Sequence, residues 1–258
     1  MPSTLVPPWL RWYPVWHRNA LVWRTMAVPS LLGNFGEPFL YLLALGYGLG
    51  SFVGDVNGMS YATFLAAGIV CASAMNTSSF ECMYSAFTRM KVQLTWDAML
   101  ATPLGLADIL IGEIIWAGTK ALISSAAILV VASLMGLVDG WTALLVLPIV
   151  FLMGCCFGAM ALVITSLAPG YDFFLYYYTL VITPMFLLSG TFFPLDGVAE
   201  WVRIGASLLP LTHGVALVRP LMTGSEINNL WLHLAVPLAY GVMSTVIALR
   251  LMQRRLLI

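Results

Sequence analysis

Charge is what this chain has least of. Only 9% of its 258 residues are Asp, Glu, Lys or Arg, where a soluble domain carries about 25%. Histidine is scarce too. His17, His213 and His233 lie far apart and no His-Glu-x-x-His run occurs, so metalloprotease chemistry is unsupported. The cysteines Cys71, Cys82, Cys155 and Cys156 have no metal spacing with histidine. Adjacent Cys155 and Cys156 are a poor pair for a bridge, and all four read as small apolar packing residues. No Gly-x-x-x-x-Gly-Lys-Ser/Thr loop is present. The chain therefore lacks that route to ATP hydrolysis, and a motor would have to sit on another polypeptide. Ser124, Ser125 and His213 have no spacing that suggests a nucleophile and its base. Strand-like alternation is missing, which argues against a barrel. No cleavable signal peptide is expected, because residues 1–28 hold Pro2, Pro7, Pro8, Pro14 and three arginines without a continuous apolar core.

What is there is apolar surface. Hydrophobic residues make up 61% and the mean hydropathy is +0.94. Six stretches, at 30–53, 60–80, 109–136, 141–167, 173–194 and 230–252, reach the roughly 20 residues that a helix needs to cross about 30 Å of hydrocarbon. The expectation is an all-α, polytopic membrane protein with six transmembrane helices, forming one domain over 1–258. The first span then serves as an uncleaved insertion signal.

The charges that remain are sorted by side. Arg11, Arg18, Arg24, Arg89, Lys91, Arg250, Arg254 and Arg255 fall on one side of a six-span reading. Arg203 and Arg219 fall on the other, with Asp55 and Asp139 in short loops there, and Lys120 lies within a span. The positive-inside rule places both termini in the cytoplasm. The net charge is zero, and no nucleic-acid partner is expected.

Three regions do not cross. In residues 1–28, Trp9, Trp12, Trp16 and Trp23 fall on one helical stripe with Arg11 and Arg18 opposite, and Pro14 starts or kinks the helix. This suits an N-terminal helix in the membrane interface; an aromatic belt before the first span is the plainer alternative. Residues 81–108 form the longest inner connection, a cytoplasmic loop holding a short amphipathic helix that Pro103 and Gly105 end. Its apolar face needs lipid, its own chain or a soluble subunit. Residues 194–230 form the largest outer connection, where Pro210 and Pro220 interrupt apolar fragments too short to span. Such segments read as re-entrant or interfacial helices before the last span.

Within the spans, Glu113 and Lys120 are seven apart and share a helical face. They read as part of a translocation route or gate, or as a structural pair with a snorkelling lysine. The fifth span opens with Tyr171, Phe173, Phe174, Tyr176, Tyr177 and Tyr178. Phe173, Tyr176 and Tyr177 are expected on one face, where aromatic rings stack on sugars or form an interfacial belt. Small residues four apart, Gly154 and Gly158, permit close helix contact.

Two segments carry a resemblance: LTWDAMLATPLGLADILIGEIIW at 94–116 and SGTFFPLDGVAEWVRIGASLLPLTHGVALVRPL at 189–221. Together they resemble the type-2 family of ABC exporter permeases. The resemblance implies six spans, an N-terminal interfacial helix, a coupling helix between spans two and three, and re-entrant helices before span six. It also implies a pair of permeases working with a separate cytoplasmic ABC ATPase in a bacterial inner membrane. ATP and magnesium would sit on that partner, and this chain would hold no cofactor. In that frame Arg89, Lys91, Trp96, Asp97, Leu100 and Pro103 match the ATPase-coupling segment. Glu113 matches the Gly-Glu at the start of span three. Pro194, Asp196, Pro210, His213 and Arg219 match the outer motif, in a gate and scaffold role. With Lys120, Tyr176 and Tyr177 these complete the candidate path or gate.

The implied cargo is a lipo-oligosaccharide or similar amphiphilic glycolipid moved out of the cytoplasm through membrane lipid. A drug or polysaccharide exporter permease of the same family is the alternative. A membrane scaffold remains open, as does a proton-coupled carrier using Glu37 or Glu113.

Overall fold

The computed structural model describes residues 7–27, 29, 36 and 39–256. The start of the first expected span and the Glu37-Pro38 pair lie outside the described residues. An amphipathic helix α1 spans Tyr13–Arg24, with Pro14 in its first turn, where a missing N–H costs nothing. Helix α2 follows at Phe39–Val53. A two-residue-strand hairpin, Asp55–Val56 with Met59–Ser60, turns on Asn57-Gly58. Both turn residues have positive φ, 51° and 78°, as the tight hairpin turn requires.

Ser60 then caps helix α3 by accepting a hydrogen bond from the backbone N–H of Thr63 at 3.2 Å. Helix α3 runs without a break over Tyr61–Val92. It is apolar on every face over its first twenty residues and is buried almost all round, the pattern of a helix at the centre of a bundle. Short helix α4 covers Thr95–Leu100. Long apolar helices α5, Leu106–Leu134, and α6, Trp141–Leu167, come next, then the shorter α7, Phe173–Leu188. Helices α8, Glu200–Ser207, and α9, Pro210–Thr223, meet at 88°, the geometry of a broken span or a re-entrant loop. The last helix, α10, is Leu230–Leu256.

Four helices (α3, α5, α6 and α10) are long and apolar enough to cross a membrane, and the bent pair α8–α9 makes up to five. Helices α2 and α7 are apolar but shorter. Apart from the short hairpin, the described residues form a helical, multi-pass membrane protein.

Two expected boundaries move. The inner connection does not begin at residue 81: α3 continues to Val92, and α5 already starts at Leu106. The polar residues that argued for a loop, Glu81 and Arg89, satisfy each other inside the bundle, so the helix need not end to hydrate them. The fifth apolar stretch is helical only to Leu188, because Gly190 adopts φ 77° and turns the chain.

Close helix contact does occur where Gly154 and Gly158 are. A Cβ at Gly154 would lie 2.5 Å from Ala121 Cβ and 2.9 Å from Gly118 Cα. Small residues on both helices therefore let α5 and α6 cross almost backbone to backbone.

Candidate functional site

The polar residues gather at one end of the bundle. Within α3, residues Glu81–Ser85 and Thr88–Val92 are wound as π-helix. In an ideal α-helix, residues eight apart are offset by about 80°. The wider π turns advance less per residue, and Glu81 and Arg89 come onto one side. Arg89 Nη2 donates to Glu81 Oε1 at 2.8 Å. The π winding also leaves the Cys82 carbonyl to accept from Thr165 Oγ1 of α6 at 2.8 Å.

Arg89 reaches across to α5 as well. Its Nε donates to Glu113 Oε1 at 3.0 Å and its Nη2 to Glu113 Oε2. Lys120, two turns further along α5, donates to Glu81 Oε2 at 2.8 Å, and the Trp116 indole donates to Glu81 Oε1 at 3.0 Å. Two carboxylates and two cations thus form a closed, neutral set with almost no exposure. Ion pairs this buried need their remaining lone pairs filled, and here indoles and an amide fill them.

Those extra donors come from the other elements. Trp96 of α4, fully buried, donates its indole N–H to Glu113 Oε1 at 3.2 Å. Asn19 of α1 donates to Glu113 Oε2 at 3.1 Å, and Arg18 donates to Asn19 Oδ1 at 3.0 Å. Glu113 therefore holds α1, α3, α4 and α5 together at one point. Burial beside the Arg89 guanidinium lowers the pKa of Arg18, with burial the larger cause and Glu113 opposing it.

The approach of α1 has a steric condition. A Cβ on Gly112 would sit 2.6 Å from Val15 Cβ and 2.9 Å from the Trp12 carbonyl, so glycine lets α1 lie directly on α5. Trp16 donates to Thr119 Oγ1 at 3.0 Å, and Trp23 packs edge-on against Trp116.

Several expected placements change. Arg18 turns toward Asn19 and Thr95, and of the four N-terminal tryptophans Trp9 is the exposed one. Arg89 is not a surface contact for a soluble partner, because both carboxylates draw it inward. Trp96 points inward and anchors α4 to Glu113. Lys91, Asp97 and Pro103 are exposed and Leu100 is half-buried. Glu113 and Lys120 share a face but do not pair; Glu81 and Arg89 connect them. Helical spacing on α5 pointed to two members of the set. Glu81 was missed because it sits eight residues from its partner on a helix expected to have ended, and Asn19 because a lone asparagine carries no signal.

The aromatic run divides as well. Tyr176 is 64% exposed and Tyr177 only 8%, so they point to different faces. A more continuous surface is formed by Phe80, Tyr84 and Tyr171. Phe80 and Tyr84 stack at 5.4 Å and 20°, and Tyr84 and Tyr171 at 6.1 Å and 7°. Tyr171 and Thr88 share a hydroxyl hydrogen bond of 2.7 Å.

The outer motif is dispersed. Arg219 donates to the carbonyls of Gly190 at 2.7 Å and Phe64 at 3.3 Å, and its guanidinium lies 3.6 Å over the Phe64 ring. It pins α9 to α3 as a scaffold. His213 shares a 2.8 Å Nδ1–Nδ1 hydrogen bond with His233 and bonds through Nε2 to the Ser207 carbonyl at 2.8 Å, which joins α8, α9 and α10. Pro194 is half-buried and Asp196 exposed, and neither joins His213 or Arg219 in a hydrogen bond or ion pair among the described residues.

A short helix is thus locked onto a buried ion network at one end of a multi-pass helical bundle. The sequence pattern of the ABC-2 type transporter family matches residues 12–223, and the chain belongs to that family. It is a membrane component of an ABC transporter. It is 45% identical over 256 residues to nodulation protein J of Rhizobium leguminosarum bv. viciae, covering 99% of this chain and 98% of that one. Nodulation protein J of Rhizobium meliloti (strain 1021) is 42% identical over 95% of this chain and 94% of its own. That of Bradyrhizobium diazoefficiens is 44% identical, with the same coverage of both chains.

Proposed function

We propose that this chain is the membrane-spanning permease of an ATP-driven exporter that moves a lipo-oligosaccharide or similar amphiphilic glycolipid out of the cytoplasm. It works as a homodimer in a bacterial inner membrane, with six spans, a re-entrant α8–α9 pair and both termini cytoplasmic. A separate NodI-like ATPase binds and hydrolyses ATP with magnesium.

The observation that carries this reading is the tether between Trp96 and Glu113. Helix α4 presents Asp97 and Ala98 outward, with Pro103 just beyond, while Trp96 plugs into the network that joins α1, α3 and α5. A push on the exposed face of α4 is thereby delivered to helices in the bundle core. Converting ATP closure into a change of permease packing requires an element whose contacts differ between two states, and the Glu113 cluster is the element we propose for it.

The cargo class rests on the resemblance carried by residues 94–116 and 189–221 and on the partly exposed rings of Phe80 and Tyr171, whose outer faces suit sugar rings. Tyr84→Ala with Tyr171→Ala should lower glycolipid export at normal expression. Unchanged glycolipid export, or loss only of drug or polysaccharide efflux, would move the cargo to another class.

The coupling reading is tested in lipid with the partner ATPase added. Asp97→Ala should weaken capture of the ATPase, and Trp96→Phe should keep capture but reduce stimulated ATP hydrolysis several-fold. If both variants retain full export and normal stimulation, α4 is not the coupling element.

A further inference from the structure

Beside the closed ion network lies an open cavity of about 530 Å³, bounded by α1, α3 and α5. That volume is within the roughly 300–1,000 Å³ range of small-molecule sites. Its charged lining is unbalanced: Arg18, Arg89 and Lys120 face it, against Glu81 alone. Arg89 and Lys120 are already paired with carboxylates. Arg18 is not: among the described residues no carboxylate lies within ion-pair distance of it, and its guanidinium bonds only to the neutral side chains of Asn19 and Thr95. One half-buried cation is therefore left over, with neutral Ser85, Thr88 and Gln93 nearby on α3 and just beyond.

The rest of the rim is of another character. Val22 and Met26 line the cavity and are 54% and 67% exposed, and Leu21 on the same helix is 48% exposed. Trp23 and Trp116 form an aromatic wall. A cationic recess bordered by bare aliphatic and indole surface, on a helix at the arginine-rich end of a membrane bundle, complements a ligand with an anionic head and apolar tails.

We propose that this cavity binds the phosphate headgroup of an anionic glycerophospholipid, with its acyl chains along the exposed face of α1. The guanidinium fork of Arg18 supplies paired donors to phosphate oxygens, and the spare N–H bonds of Lys120 add to them. The lipid completes the charge balance of the site and clamps α1 against α5. Binding is a property of the permease itself and stands or falls without reference to cargo or ATPase.

The test is lipid retention by the purified full-length permease, read by native mass spectrometry after incubation with equal parts phosphatidylglycerol and phosphatidylcholine. The wild type should retain phosphatidylglycerol with a preference of roughly tenfold, equivalent to about 1.4 kcal/mol. Arg18→Gln should bring the ratio close to parity, and Arg18→Lys should keep most of it. Arg24→Gln, on an exposed residue of the same helix outside the cavity, should leave it unchanged. Val22→Asp puts a carboxylate at the rim on an exposed residue and should abolish the preference, so it decides the matter if Arg18→Gln does not fold. No preference in the wild type, or a preference that survives Val22→Asp, overturns the proposal. Displacement of the lipid by millimolar inorganic phosphate would also overturn it, making this a site for a free anion.

Discussion

At the scale of single residues, Glu113 is the side chain on which most depends. Its two oxygens accept from Arg89, Trp96 and Asn19, which belong to three other elements. Removing one member of a buried ion set strands the others, at a cost of about 3–5 kcal/mol. Arg89→Ala should therefore lower the thermal unfolding midpoint in detergent sharply. Arg89→Lys should fall between, because an ammonium cannot reproduce the fork that reaches both carboxylates. Trp96→Phe trades the buried indole for a smaller ring and loses one hydrogen bond to a buried carboxylate, so it should cost about 1.5–3 kcal/mol, less than Arg89→Ala. That separation makes the residue useful: its effect on ATPase stimulation should exceed its effect on stability. Equal loss in both would mean that Trp96 serves the fold alone.

At the scale of elements, helix-to-helix distance is set by what is missing from side chains. Gly112 lets α1 touch α5, and Gly154 lets α6 touch α5. Gly112→Val should lift α1 from its seat, detected as a red shift of tryptophan fluorescence when Trp16 and Trp23 become wetter. The α5–α6 crossing should survive that change. Gly154→Leu should act on the crossing, with an overpacking cost of about 1–3 kcal/mol or more. The turn between α3 and α4 rests on Leu94 at φ 51°, a conformation that costs a leucine roughly 1–2 kcal/mol. Leu94→Gly should relieve that strain while loosening α4, so stability would rise or hold as stimulated ATP hydrolysis falls.

At the scale of the molecule, the two ends of the bundle differ in chemistry. One end carries α1, α4 and the Glu113 network. It also holds Arg255, which donates to the carbonyls of Thr165, Ser166 and Ala168 at the end of α6. The other end carries the hairpin, the Arg219 scaffold and the histidine pair. Cysteine labelling in intact cells checks the orientation. Asp139→Cys should react with an impermeant maleimide from outside, and Asp97→Cys only after permeabilisation. The native cysteines are buried or half-buried and contribute little background. The reverse pattern would invert the topology.

Much of this architecture is legible in the order of residues. Long apolar runs force helices because hydrocarbon offers no partner for the backbone, and the sorting of arginines sets the orientation that the labelling tests. The helix at 141–167 matches α6 end to end, and Pro210 opens α9 where a break was expected, whereas Pro220, expected to interrupt the segment as well, lies inside α9 without ending it. Composition and hydropathy also placed Glu113 and Lys120 among the few costly charges. Their partners could be decided only in three dimensions. Glu81 and Arg89 meet because α3 widens into π turns, and Asn19 and Trp96 arrive from distant segments through the space left by Gly112 and the turn at Leu94. Helix geometry alone turns Tyr176 and Tyr177 about 100° apart, but which of them is buried was decided by packing in the bundle. Periodicity reports which face a residue shares with its neighbours along the chain. Which helix that face then meets, and how closely, is set by the shapes of all the helices at once.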